Sequence, residues 1–170
     1  MVPSGASTGK FEALELRDGT SRFSGKGVDM AIKNVNEVLG PAITGLDARD
    51  QKKIDSVLIS TDGTPDKSRY GANAILGCSL AACYAAANFE KKPLYRDLGG
   101  AMASTIPVPM VQIIGGGAHA VNTTDIQDYL VIPLSAKSFS AGYEMVTETY
   151  HAAKRVFKRL NKPLSIADEG

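Results

Sequence analysis

Apolar positions along residues 27–39 fall at Val28, Ile32, Val35 and Leu39, a four-three-four spacing that places one stripe on a helix. Gly40-Pro41 is expected to stop it. A second helix is expected from Asp47 as N-cap through Ile54, Val57 and Leu58, ending before the turn-forming Asp62-Gly63-Thr64-Pro65. Residues 73–89 are dominated by Ala and Leu with almost no charge. This third, longer helix is therefore expected to be apolar nearly all round and buried between other elements. Pro93 and the Gly99-Gly100 pair bound a last helical turn.

Beyond Gly100 the pattern changes. Residues 108–114 and 129–132 are short, β-branched-rich apolar runs bounded by Pro and Gly, and they read as strands. A composition shift at 103–105 is the expected boundary between a domain over 1–103 and another over 104–170. Ser138 is placed to cap a helix reaching Leu160. Its apolar residues Phe139, Tyr143, Val146, Tyr150, Ala153 and Phe157 recur at threes and fours, and Lys154, Arg155 and Lys158 load its C-terminal end favourably. Leu164-Ser165-Ile166-Ala167 reads as a short buried strand. Strand, strand, helix, strand suggests the start of an α/β layer or barrel. The chain opens at once on an elaborate loop and stops three residues after its last strand, so both ends read as cut.

Composition narrows the class. With 44% hydrophobic and 22% charged residues, disorder, collagen-like repeats and disulfide scaffolds are disfavoured. Nineteen basic against eighteen acidic residues leave a net charge of +1, which offers no face suited to nucleic acid. Cys78 and Cys83 stand five residues apart, on nearly opposite helix faces, and read as small core residues that cannot bridge. No Cys or His cluster has zinc spacing. No apolar run approaches the ~20 residues of a membrane span, and no leading segment resembles a signal peptide. A reducing cytoplasm is the expected location.

Three places carry candidate chemistry. In Ser4-Gly5-Ala6-Ser7-Thr8-Gly9-Lys10, the run from Gly5 to Lys10 half-resembles a phosphate-cradling P-loop. Ser4 stands where the first glycine is required, however, and Phe11 where a Ser or Thr would hold magnesium. Two readings stay open: an ordinary surface loop, or a small-residue loop that closes over a ligand with hydroxyls at Ser4, Ser7 and Thr8. The second place is Gly115-Gly116-Gly117-Ala118-His119-Ala120, directly after an apolar strand, where backbone can approach a ligand and His119 stands at the strand's C-terminal end. A plain glycine-rich loop is the alternative. His151, inside the long helix, reads as packing or surface. The third place is a pair of acids at strand ends, Asp128 before Tyr129 and Asp168-Glu169 after the last strand. Carboxylates there suit magnesium ligation or proton transfer, and strand capping is the competing reading.

Together these residues resemble the enolase (phosphopyruvate hydratase) family in order, spacing and context across nearly the whole chain. The run Val2-Pro3-Ser4-Gly5-Ala6-Ser7-Thr8-Gly9 with Glu12-Ala13-Leu14-Glu15-Leu16-Arg17-Asp18 is similar to the family's catalytic loop and the strand after it. Gly25-Lys26-Gly27-Val28, Asp62-Gly63-Thr64, Lys67-Ser68, Gly71-Ala72-Asn73-Ala74-Ile75-Leu76-Gly77, Pro93-Leu94-Tyr95 and Leu98-Gly99-Gly100 match its helical N-terminal part. Pro107-Val108-Pro109-Met110 matches the opening of its barrel. The resemblance implies an α+β capping domain followed by the first strands and helix of a TIM-like barrel, truncated at both ends.

It also implies magnesium-dependent removal of water from 2-phosphoglycerate to give phosphoenolpyruvate, with a lysine base. That base, a second lysine and the carboxylates of the first Mg2+ lie further along the family's barrel. Of the residues present here, Ser7 matches the loop serine that ligates the second Mg2+, and His119 the loop histidine that closes on substrate. Glu169 takes the position of the acid that assists departure of the 3-hydroxyl. Gln127 matches the glutamine before a second acidic position, where the family's Gln-Glu-Phe reads Gln127-Asp128-Tyr129. Gln112 and Gly115 each stand where the family usually has Asn, and Val121 replaces a small or acidic residue. A homodimer binding a small phosphorylated carboxylic acid is the implied assembly. The alternatives are a paralogue acting on a related phosphonate or phosphorylated acid, similar to the carboxyphosphonoenolpyruvate synthases, and a non-catalytic fragment or pseudoenzyme.

Overall fold

The computed structural model describes residues 2, 3, 5, 8–120 and 123–166, with His119 in its backbone only. The chain divides into two compact units, Met1–Ala103 and Ser104–Gly170.

In the first unit, helix α1 (Asp29–Asn34) does not stop at Gly40-Pro41 as the sequence predicts. It runs through a π-helical turn, Val35–Leu39, into α2 (Gly40–Ile43). The amide of Gly40 donates to Val35 O across the wider turn, and Pro41, which brings no N–H, follows it in the first turn of α2, where the widened turn accommodates the missing donor. Asp18 caps α1 from a distance, its two carboxylate oxygens accepting from the backbone N–H of Asp29 and Met30 at 2.9 Å each. Glycine is required at 27 for this approach, since a Cβ there would lie 2.4 Å from Asp18 Oδ2. The amides of Met30 and Asp29 hold the Asp18 carboxyl below its usual range.

Helix α3 (Gln51–Asp62) starts after Asp50, not Asp47: the Asp50 side chain accepts from Lys53 N at 3.1 Å. Asp47 instead turns back on Arg49, accepting from its backbone N–H at 2.9 Å and pairing with its guanidinium at 2.6 Å. That guanidinium lowers the Asp47 pKa to about 2. Helix α4 (Ala72–Phe89) lays Ala74, Ile75, Cys78, Cys83, Ala86 and Ala87 in the interior. Burial on all sides, the sequence expectation, is not what forms. Tyr84 and Phe89 are 54% and 73% exposed, because the described elements of this unit cover one face of the helix. By length and composition alone α4 also reaches the minimum for a membrane span, and its alanine-rich face against α3 accounts for that composition. Both cysteines are buried and free, with burial raising their thiol pKa values.

The core gathers Ala31, Leu39, Ile54, Leu58, Ala74, Ile75 and Cys78, fringed by Leu16, Val28, Val35, Ile43 and Tyr70. Leu39 and Leu58 are fully buried, each contributing about 2 kcal/mol by removal from water. Ser79 Oγ donates to Asp55 Oδ1 at 2.7 Å and accepts from Gln51 Nε2 at 2.9 Å, tying α3 to α4. Residues 12–18 do not form the strand that the resemblance implies. The Asn73 side chain takes a neighbour's place, accepting from Leu16 N and donating to Leu16 O at 3.0 Å each. Asp62 is fully buried at the end of α3 and accepts from Tyr70 N at 2.9 Å, Thr64 N at 3.0 Å and the Thr64 hydroxyl. Burial raises its pKa, yet the Thr64 and Tyr70 bonds outweigh that and hold it low. Helix α5 (Leu94–Gly99) closes the unit.

In the second unit, β1 (Val111–Gly115) and β2 (Asp128–Val131) pair antiparallel. Val111 lies opposite Val131 and Gln112 opposite Leu130. A bulge between Gln112 and Ile114 then brings Ile114 opposite Tyr129 and Gly115 opposite Asp128. Helix α6 (Phe139–Arg159) begins at Ser138, whose hydroxyl accepts from Ala141 N at 3.2 Å. It buries Val146 and packs Gly142 under Pro133. The strand expected at 164–167 is not formed over its described residues. Leu164 and Ile166 are 51% and 75% exposed, and the two described strands take their ladder bonds from each other.

Candidate active site

The apolar, β-branched run of β1 ends in three glycines, and two of them are demanded by geometry. A Cβ on Gly116 would lie 2.2 Å from Ile126 O and 2.6 Å from Thr124 O, closer than any side chain tolerates. Gly117 adopts φ +59, which glycine reaches without a Cβ penalty. These close approaches allow Gly116 N to donate to Gln127 O, and Gly117 N to Thr124 O, at 2.7 Å each. Thr123 secures the turn by donating to Ala120 O at 2.7 Å.

The connection therefore folds flat on itself. It brings the single 3-10 turn Gly117–His119, Gln127 and Asp128 to one end of the β1–β2 hairpin. A Cβ on Gly117 would stand 3.4 Å from Gln127 Cα, which measures how near the two limbs come. Gln112 Nε2 donates to Asp128 Oδ1 at 2.6 Å, and Thr124 Oγ1 lies 3.1 Å from the Tyr129 hydroxyl. Behind the hairpin a cavity of about 240 Å³ lies between Ile113, Ile114, Tyr150, Phe157 and Leu164, with Lys154 the one charged lining residue among the described residues.

The other candidates lie in the first unit, within α6, or outside the described residues. Ser4, Ala6, Ser7, Asp168 and Glu169 lie outside them. Gly5 and Thr8 are exposed, and the loop is followed by a turn in which Glu12 accepts from Gly9 N at 3.2 Å and donates its own N–H to Gly9 O at 3.1 Å. His151 lies in α6 with its ring edge-on to Tyr150 at 5.8 Å. Among the described residues, no three of His, Cys, Asp and Glu stand together as a metal would require, so they do not by themselves fit a magnesium cage. Sequence reasoning noted Gln112 and Asp128 as separate departures and missed that they bond. The signal was the two-residue diagonal between them, visible only once the bulge at Ile113 sets the register.

Two family models cover the chain: the enolase N-terminal domain over residues 1–98 and the enolase C-terminal TIM barrel domain over residues 103–170. The chain is 68% identical over all 170 of its residues to Enolase 1 of Desulfitobacterium hafniense, of which it covers 39%. It is 54% identical over 157 residues, 92% of its length, to an enolase of Methanothrix thermoacetophila, covering 37% of that protein. The chain thus spans about two fifths of the length of these relatives. Its helical unit corresponds to the family's N-terminal domain and its hairpin and α6 to the start of the barrel, and the chain belongs to the enolase family.

Proposed function

We propose that the protein containing this chain dehydrates 2-phosphoglycerate to phosphoenolpyruvate. The observation that carries the reading is the 68% identity with Enolase 1 along the whole chain. The gathering of Gln127, Asp128 and the His119 backbone at one hairpin end supports it. Under this reading Glu169 assists departure of the 3-hydroxyl, and His119 closes on substrate. Gln127 and Asp128 bind substrate, with Asp128 also serving the reaction as its second acid. The loop from Ser4 through Gly5, Ala6 and Ser7 to Thr8 shuts over the site.

Magnesium belongs to the proposal as the cofactor of the whole protein, where it would stabilise charge on an enolate-like species. Ser7 is the residue of this chain proposed to ligate it, and the remaining ligands are proposed to come from other parts of the barrel. A cytoplasmic homodimer that takes a small phosphorylated carboxylic acid completes the reading. The test is formation of phosphoenolpyruvate from 2-phosphoglycerate by the full-length protein, with magnesium and after chelation. Metal-dependent turnover is expected. Metal-independent turnover contradicts the cofactor, and absence of turnover contradicts the reaction.

A further inference from the structure

The structure places Gln112, Gly115 and Asp128, which the resemblance implies differ from the usual family residues, on one patch of the hairpin. Gly115 stands directly opposite Asp128 and offers it no side chain. Gln112 is opposite Leu130, so Asp128, two residues before Leu130, is its diagonal neighbour. Diagonal positions on one sheet face are ~7–8 Å apart, a gap that long side chains bridge. The bridge is made, with Gln112 Nε2 2.6 Å from Asp128 Oδ1, and a hydrogen bond to an ionised acceptor is among the stronger kinds.

We propose that Gln112 is a positioning residue that fixes the Asp128 carboxylate through its side-chain amide. Gln112 and Asp128 then act as one pair whose combined side-chain length sets the bond. Asp is one methylene shorter than Glu and Gln one methylene longer than Asn, so the combined length across the diagonal is the same in either combination. The inference rests on the enolase reading for its kinetic consequence.

The pairing makes the two positions interdependent. Gln112→Asn alone leaves the amide about one C–C bond, ~1.5 Å, short, and Asp128→Glu alone crowds the diagonal by the same amount. A misplacement of ~1 Å in a catalytic constellation costs on the order of a hundredfold in rate. In the full-length protein each single variant is therefore expected to lose about that factor in kcat on 2-phosphoglycerate, with a smaller change in KM. The double variant Q112N/D128E is expected to recover to within about tenfold of the starting rate, the non-additivity of two residues in contact. Losses that multiply in the double variant overturn the proposal.

A second readout is independent of turnover. In full-length protein labelled with 15N-glutamine, one Gln112 side-chain amide proton is expected downfield of the free-amide range, returning to it in Asp128→Ala. If 2-phosphoglycerate is not turned over while this shift is present, the reaction is wrong and the pairing stands. An unshifted amide overturns the pairing whatever the substrate.

Discussion

The two units reach order by different physical routes. The helical unit closes a core in which seven side chains cluster, Leu39 and Leu58 fully buried. Among the described residues of the other unit, Val146 and Pro133 are the apolar side chains that are buried, while Tyr129, Leu130, Ile132 and Tyr143 keep large exposed areas. Three helical faces can surround a core within about a hundred residues. A two-stranded hairpin with one helix cannot, for an isolated hairpin is marginal at best in water. The hairpin end that carries Gln127 and Asp128 is held, among the described residues, by glycine contacts and hydrogen bonds, and these contacts should fail under different mutations from those that unfold the helical unit.

The largest effect is expected in the helical core. Leu58→Ala is expected to cost about 4 kcal/mol by removing a fully buried side chain that little can replace. Hydrogen exchange should show faster opening of α3 and α4 amides with β1 and β2 unchanged. Equal loosening of both units would mean they are not energetically separate.

Asp62→Ala is expected to cost about 2–3 kcal/mol, since it leaves the part-buried N–H groups of Tyr70 and Thr64 without their acceptor. The same residue sets a pH dependence. Its folded-state pKa lies below the ordinary aspartate value of 3.8, so the folded form binds a proton less readily than the unfolded form. Its contribution is therefore complete above that value and is lost as pH falls below it. Denaturant unfolding between neutral pH and pH 2 should show this loss in the native chain and a flatter curve in Asp62→Asn. Asp47, exposed beside Arg49, should move the same curve little.

Gly116→Ala is the complementary stroke, expected to cost about 2 kcal/mol by forcing a Cβ against Ile126 O. Its effect should be confined to the hairpin: amide exchange at Gly116 and Gly117 rises, while α3 and α4 keep their protection.

Much of this architecture is legible in the chain because its signals are local. Ser138 and the apolar spacing behind it define α6, and the β-branched runs mark both strands. What escapes is long-range. Nothing near Asp18 announces that it will cap a helix starting at Asp29, and nothing near Asn73 that its amide will stand in for a strand beside Leu16. Gly40-Pro41 misleads because a π turn absorbs the missing donor. A strand at 164–166 needs a partner that the local pattern cannot supply. At the candidate site, the glycine run is readable as a close turn, but the link from Gln112 to Asp128 depends on register, which a bulge shifts by one residue.

The most direct test of the account compares the full-length protein with its Glu169→Gln variant on 2-phosphoglycerate. Turnover by the parent is expected, with a loss of ~10²–10⁴-fold in kcat when the acid becomes an amide, the usual contribution of a positioned acid. A parent without turnover, or a variant as fast as the parent, would contradict it.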